Sequence, residues 1–283
     1  MKNKKQTYLK LKDFAVSGEK FKLIYNSDFD MLETYPYISE EKIQQYYESD
    51  DYISHTDSSS GIVDKVYQIV KKITLHNKLK LINSLKTSEK EILDIGCGTG
   101  DFLLKCKNNN WSIYGVEPNA KAKQISISKL KNTSLFFENI EEINNIKFDV
   151  ITMWHVLEHV PNLENYITTI KKLLKPNGVL IVAVPNYKSF DAQHYKNFWA
   201  AFDVPRHRWH FSKKSIQKLF VPNFKLVKIK PMWFDSFYIS LLSEKYKTGS
   251  QNFIKAFFVG LWSNLNGIFT KEHSSHIYVL KSK

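Results

Sequence analysis

At 283 residues the chain is long enough for one large α/β domain with additions, and its 43% hydrophobic content is ordinary for a globular protein. The net charge of +13 invites a nucleic-acid reading, but only Arg206 and Arg208 among the 41 basic residues are arginine. Lysine scattered along the whole chain makes a solvated surface rather than a groove for bases or phosphates, so nucleic acid is not the expected partner. Cys97 and Cys106 are the only cysteines, which excludes a disulfide framework and a zinc quartet. The basic start is followed by no apolar run, so no signal peptide is expected. Nor does any stretch reach the ~18 uninterrupted apolar residues of a membrane span, and the expected location is cytoplasmic.

In chain order, residues 1–60 form an N-terminal extension. Residues 20–25 alternate as a strand does, 28–37 predict a loop, and 39–47 predict a short helix. Residues 48–61 are polar and rich in turn formers. From 62 to 85 apolar residues recur at helical spacing (Val66, Val70, Ile73, Leu79, Ile82), predicting a long helix that packs on a sheet.

A mostly apolar run at 91–95 then leads into Gly96-Cys-Gly98-Thr-Gly100, and helical spacing resumes at Phe102 and Leu103. Strand, tight glycine turn and helix are the means by which an α/β protein brings its backbone close to a nucleotide. Residues 111–117 predict a second strand ending in Glu117, where a carboxylate can accept hydrogen bonds from both ribose hydroxyls. Further strands are expected at 135–137, 148–153 and 179–184, with a helix over 163–174 stopped at Pro176-Asn-Gly178. Alternating strands and helices of this spacing predict a doubly wound, mainly parallel sheet with right-handed crossovers. The last two strands are expected at 224–230 and 275–280. Between them, 231–242 and 253–269 carry many large aromatics and predict helices that form a lid, lie on a membrane or meet a partner subunit.

The pattern Asp94-Ile-Gly-Cys-Gly-Thr-Gly100 resembles the first motif of class I S-adenosylmethionine-dependent methyltransferases, and Val116-Glu117-Pro118 is similar to their acidic second motif. A dinucleotide fingerprint would place its third glycine where Asp101 stands, which sets a dehydrogenase aside. The resemblance implies a Rossmann-like seven-stranded sheet with an antiparallel edge, and S-adenosylmethionine as cofactor. It divides the chain into an N-terminal cap (1–60), a cofactor-binding core (61–190) and a substrate-side segment with helical lid and last strands (191–283). It implies cofactor contacts from Asp94, Gly96, Cys97, Gly98, Gly100, Glu117, Pro118 and Trp154, with Asn139 and Ile140 at the adenine. A bacterial group of small-molecule methyltransferases carries a Tyr-Tyr…Tyr…His segment similar to Tyr46, Tyr47, Tyr52 and His55. By that likeness Tyr47, Tyr52 and His55 would cap the cofactor pocket; the alternative is a packed aromatic cluster.

Trp154-His155-Val-Leu-Glu158-His159 ends a strand at the crevice where open α/β sheets bind ligands. Its letters also spell an inverted zinc-protease signature, which needs a continuous helix and a further ligand. Quinone O-methyltransferases resemble this stretch but carry Glu where His155 stands; no metal is expected here. In Asp203-Val-Pro-Arg206-His207-Arg-Trp-His210, both arginines of the chain lie close together, suggesting planar, multi-donor recognition of a carboxylate or phosphate. His155 and His207 are therefore expected as catalytic bases, and Arg206, His210 and Trp233 as acceptor contacts. The expected reaction is in-line methyl transfer to an O, N or C nucleophile of a small, possibly anionic molecule. An RNA methyltransferase and a non-catalytic S-adenosylmethionine-binding module are the alternatives.

Overall fold

The computed structural model describes residues 6–47, 62–87, 89–132 and 135–283. Its strands are β1 (Gln6–Lys12), β2 (Lys20–Asn26), β3 (Met31–Tyr35), β4 (Glu91–Ile95), β5 (Ser112–Val116), β6 (Phe136–Phe137), β7 (Phe148–Trp154), β8 (Leu174–Pro185), β9 (Trp209–His210), β10 (Phe224–Pro231) and β11 (Ser275–Ser282). Seven of them form one sheet in the order β10-β11-β8-β7-β4-β5-β6. β8 through β6 run parallel, while β11 enters antiparallel between β8 and β10. The fold is thus the Rossmann-like sheet with an antiparallel edge that the sequence pattern implies.

Side chains alternate across the strands and are buried on both faces, which is why these strands read as continuous apolar runs. Ile92, Val150 and Ile181 point to one face, where Leu79 and Ile82 of the Ile62–Asn83 helix cover them. Leu93, Ile151 and Leu180 point to the other, under Ile167 and Ile170 of the Leu163–Leu173 helix. That helix is capped by Asn162, whose side chain accepts from the Asn165 amide.

The N-terminal region departs from the sequence reading. Residues 6–12 form a strand where none is expected, and the expected loop at 28–37 contains β3. β1, β2 and β3 pair antiparallel, and β9 completes the sheet through Leu32↔His210 and Glu33↔Trp209. A segment read as substrate-side therefore also supplies the fourth strand of the N-terminal sheet. β8 likewise begins at Leu174, running through the expected stop at Pro176–Gly178. The Asp235–Thr248 and Phe253–Thr270 helices lie between the last two strands as predicted. Among the described residues no helix is long and apolar enough to cross a membrane.

Candidate active site

The turn after β4 places its glycines in the left-handed region, with Gly96 at φ 70° and Gly98 at φ 55°. At Gly96 a Cβ would stand 2.5 Å from Cγ2 of Val156, so a side chain has neither the conformation nor the room. At Gly98 no atom lies within 4 Å of an added Cβ: the backbone there faces open space. The Gly98 amide donates to Oε2 of Glu117 (2.8 Å), and Oε1 accepts from the Asn119 amide (2.9 Å). Each carboxylate oxygen keeps a further lone pair for a ribose hydroxyl. Burial raises the Glu117 carboxyl, opposed by those two amides. The Ser126 hydroxyl, absent from the sequence reading, donates to the Gly98 carbonyl (2.6 Å) and fixes the turn from the Ala120–Leu130 helix after β5.

Asp94 is buried on β4 and accepts from the Thr152 hydroxyl (2.6 Å). Burial lifts its carboxyl to about 7, against the pull of Thr152 and of Lys78. Cys97 is a buried thiol under the turn, pushed up by burial. Pro118 is exposed. Ile140 is buried in the core beside Val116, with Asn139 exposed just before it at the edge of the sheet. Trp154 packs edge-on against Phe102, with Nζ of Lys78 4.3 Å from its ring centroid. Its Nε1 is buried and has no hydrogen-bond partner among the described residues. An open backbone at Gly98, a strand-end carboxylate at Glu117 and an unpartnered indole N–H fit a nucleoside with a polar tail.

Lys78 is the residue sequence reasoning missed. On an amphipathic helix full of lysine it looks like surface, yet burial lowers its pKa while the charges of Asp94 and Asp235 raise it. It also lines a cavity of about 420 Å³ between the Ile62–Asn83 helix and the end of β10, together with Lys230, Met232, Trp233, Phe234 and Asp235. His155 stands at the neighbouring strand end with φ 58°, a conformation rare for a side-chain-bearing residue. Its Nε2 lies 3.0 Å from Oδ2 of Asp235, and Nδ1 lies 3.4 Å from Oε1 of Glu158. Burial works against its charged form, but the hydrogen bonds and charges of Asp235 and Glu158 outweigh this and raise it to about 10. These partners favour the charged form of His155, and both of its ring nitrogens are directed at carboxylates of the chain.

Beyond Glu158 lies a second cluster. His159 Nδ1 is 3.0 Å from the Tyr47 hydroxyl and 3.1 Å from the Arg206 carbonyl. Burial, reinforced by the charge of His207, lowers His159 to about 4. His207 Nδ1 donates to the Ala201 carbonyl (2.8 Å), and its Nε2 stands 3.9 Å from Oδ2 of Asp203. Apart from His155 Nδ1 at 3.4 Å from Oε1, neither Glu158 side-chain oxygen has a partner among the described residues. Ligand atoms of Glu158, His159 and His207 all lie within 4.8 Å of one another. The sequence reading expects no metal, yet this donor set fits a divalent ion, which when bound would polarise an acceptor hydroxyl.

The arginine reading is corrected by the structure. Arg206 is 2% exposed and its donors are taken up by Asp203, Asp13 and the Tyr46 carbonyl. The planar fork is used, but its carboxylates belong to the chain itself, so Arg206 is not an acceptor contact. Arg208 likewise holds Glu40 (2.6 Å) and the Tyr37 hydroxyl. His210 is buried, with Nε2 3.0 Å from the Thr34 hydroxyl, and serves the N-terminal sheet instead of a substrate. Trp233 lines the cavity. Tyr47 is at the histidine cluster rather than at the glycine turn; Tyr52 and His55 lie outside the described residues.

Sheet order, glycine turn and strand-end carboxylate together define a class I methyltransferase core, whose cofactor is S-adenosylmethionine. The profile of the family described as "Methyltransferase domain" matches residues 68–223, and the chain belongs to that family. Among curated relatives, the ubiquinone biosynthesis O-methyltransferase of Rickettsia akari (strain Hartford) is 30% identical over 129 residues, 42% of this chain and 47% of the relative. That of Pasteurella multocida (strain Pm70) is 34% identical over 116 residues, 34% of this chain and 47% of the relative. The chain thus spans about half the length of the curated relatives it matches. Magnesium protoporphyrin IX methyltransferase from Synechocystis PCC 6803, solved with bound SAH, superposes with a TM-score of 0.57 at 15% identity, over 87% of this chain and 100% of that one. This last likeness concerns the fold.

Proposed function

We propose that the chain transfers the sulfonium methyl group of S-adenosylmethionine to a nucleophile on a small molecule held in the cavity beside Lys78 and Asp235. The observation that carries this is the continuity of the two halves: Lys78 stands over Trp154 on the cofactor side and lines the acceptor cavity on the other. The acceptor's lone pair attacks the methyl carbon as the carbon–sulfur bond breaks, and the proton leaves the acceptor for a base or for water. The protein's share is alignment and exclusion of water. His155, its two ring nitrogens facing Asp235 (3.0 Å) and Glu158 (3.4 Å), fixes the Asp235 carboxylate in the cavity lining. His207, oriented by the Nδ1 contact with the Ala201 carbonyl and with Nε2 3.9 Å from Oδ2 of Asp203, is the residue assigned to proton removal.

With Arg206 committed elsewhere, the cations facing the acceptor are Lys78, Lys80 and Lys230, set among Met232, Trp233 and Phe234. That lining suits a molecule with an apolar body and an anionic or polar edge. A duplex does not fit a cavity of about 420 Å³. The relatives' names put quinone-type hydroxyl acceptors first in the panel to be tried. Both cysteines are free, buried thiols, which suits a reducing compartment and the cytoplasmic expectation.

The test is transfer of labelled methyl from S-adenosylmethionine to a panel of phenols and amines, each with and without a carboxylate. Methylated product should form, and Lys78→Met should raise KM for the carboxylated members more than for their neutral partners. Label appearing in structured RNA but in no small molecule would replace this reading with the nucleic-acid one.

A further inference from the structure

The Phe253–Thr270 helix is built inside out. Its buried positions are Ala256, Val259, Gly260, Ser263, Asn264 and Gly267, which are small or polar. They have to be small: a Cβ at Gly260 would stand 2.8 Å from the Phe237 ring, and one at Gly267 would stand 2.5 Å from Nδ1 of His273. Every residue exposed between Phe253 and Phe269 is instead a large apolar one, including Ile254 at 74% and Phe269 at 83%. Phe258, Leu261, Trp262 and Leu265 continue the same surface. A face of this kind holds far more apolar area than the scattered exposed residues normal on a globular protein.

Charge decides what covers it. Lys245 and Lys247 are exposed just before the helix, and Lys271 is exposed at its C-cap. None of these three makes an ion pair among the described residues. From Asp235 to the C-terminus the acidic residues are Asp235, Glu244 and Glu272, and each already faces a cation of the chain (His155, Lys255 and Lys213). The apolar face is therefore flanked at both ends by lysines without an ion-pair partner among the described residues, and each acidic residue of this segment is paired. A second copy docked on this face would set lysine against lysine. A protein partner would meet an outward face with almost no hydrogen-bonding groups, unlike the polar rim of most interfaces.

We propose that the Phe253–Thr270 helix lies in the plane of an anionic lipid bilayer, its aromatics at the acyl boundary and Lys245, Lys247 and Lys271 at the head groups. At 18 residues the helix is about 27 Å long and lies along the surface without crossing it. Nδ2 of Asn264, on its inner side, donates to the Trp233 carbonyl (2.8 Å), so the bilayer-facing helix backs directly onto the wall of the cavity.

The experiment is flotation of the full chain with vesicles of phosphatidylcholine alone and of phosphatidylcholine mixed with phosphatidylglycerol. The wild type should float with the mixed vesicles, less so with the neutral ones, and the difference should shrink as salt is raised. Phe258→Ser with Trp262→Ser should lower vesicle partition about tenfold or more, and Lys247→Glu with Lys271→Glu should remove the preference for the anionic lipid. Quenching of wild-type tryptophan emission by brominated acyl chains gives the same answer with no substitution. Equal flotation on neutral vesicles, or no quenching, overturns the proposal. So does a dimer in light scattering that the double serine variant dissociates while neither protein binds vesicles.

Discussion

Between Asp94 and Glu117 the chain builds a ligand edge from one continuous stretch: strand, glycine turn, helix and strand-end carboxylate. The histidine cluster is assembled the other way, drawing Tyr47, Glu158, His159 and His207 from segments far apart in sequence. The first is held by local backbone geometry, with the Gly98 amide and Glu117 only one crossover apart. The second is held by a buried lock at a distance, where Arg206 joins Asp203 beside it to Asp13 and the Tyr46 carbonyl of the N-terminal region. A local edge can lose one side chain and stay folded, whereas a long-range lock cannot. Substitutions in the two regions should therefore fail in different ways.

The largest effect is expected from Arg206→Met. It leaves the buried carboxylate of Asp13 and the half-buried one of Asp203 without their cation, and the loss of stability should be about 3 kcal/mol in denaturant titration. The pH dependence sharpens the point. Burial pushes Asp13 and Asp203 up, but Arg206, aided at Asp13 by local amides, brings both below the usual carboxylate range. Their contribution is thus fully present above the unfolded pKa of about 3.9 and is lost as pH falls through the lower folded values. The gap between wild type and Arg206→Met should accordingly narrow below about pH 4. A constant gap would mean that the arginine acts through packing alone.

Glu117→Ala comes next and should behave oppositely. The fold should survive, while affinity for S-adenosylhomocysteine falls by about 1.5–3 kcal/mol, the scale of hydrogen bonds to a charged group. If Glu117→Ala instead unfolds the chain, the cofactor edge is no more local than the lock.

The smallest effect concerns the boundary between the two regions. Asp235→Asn removes the carboxylate closest to His155, so the imidazole should titrate below its wild-type value of about 10, as followed by NMR. In the wild type the pair stabilises the fold fully below the unfolded histidine pKa of about 6.5, and that contribution is lost as pH rises toward 10. An unchanged His155 titration would remove Asp235 from the site.

The same contrast explains what could be read in the sequence. Gly96, Gly98, Gly100 and Glu117 were legible because their spacing is set by the backbone of one turn and one crossover. The seven-stranded sheet was legible because strands buried on both faces leave uninterrupted apolar runs such as Phe148–Trp154. β1 was not, because it is an exposed edge strand in which only Leu11 is buried, and its Leu-Lys alternation covers just four residues. The paired arginines correctly signalled a need for planar donors, but no spacing could reveal that Asp13 would be the partner. Lys78 was hidden among the lysines of its helix, and only the fold brings it between Asp94 and Asp235.

The open backbone at Gly98 and the carboxylate of Glu117 are the proposed seat of S-adenosylmethionine. Calorimetric titration of the wild-type chain with S-adenosylhomocysteine, repeated in the presence of NAD, tests it most directly. One saturable site whose heat is unchanged by NAD is the predicted result. No binding heat, or a signal that NAD displaces, would mean that this edge does not seat S-adenosylmethionine.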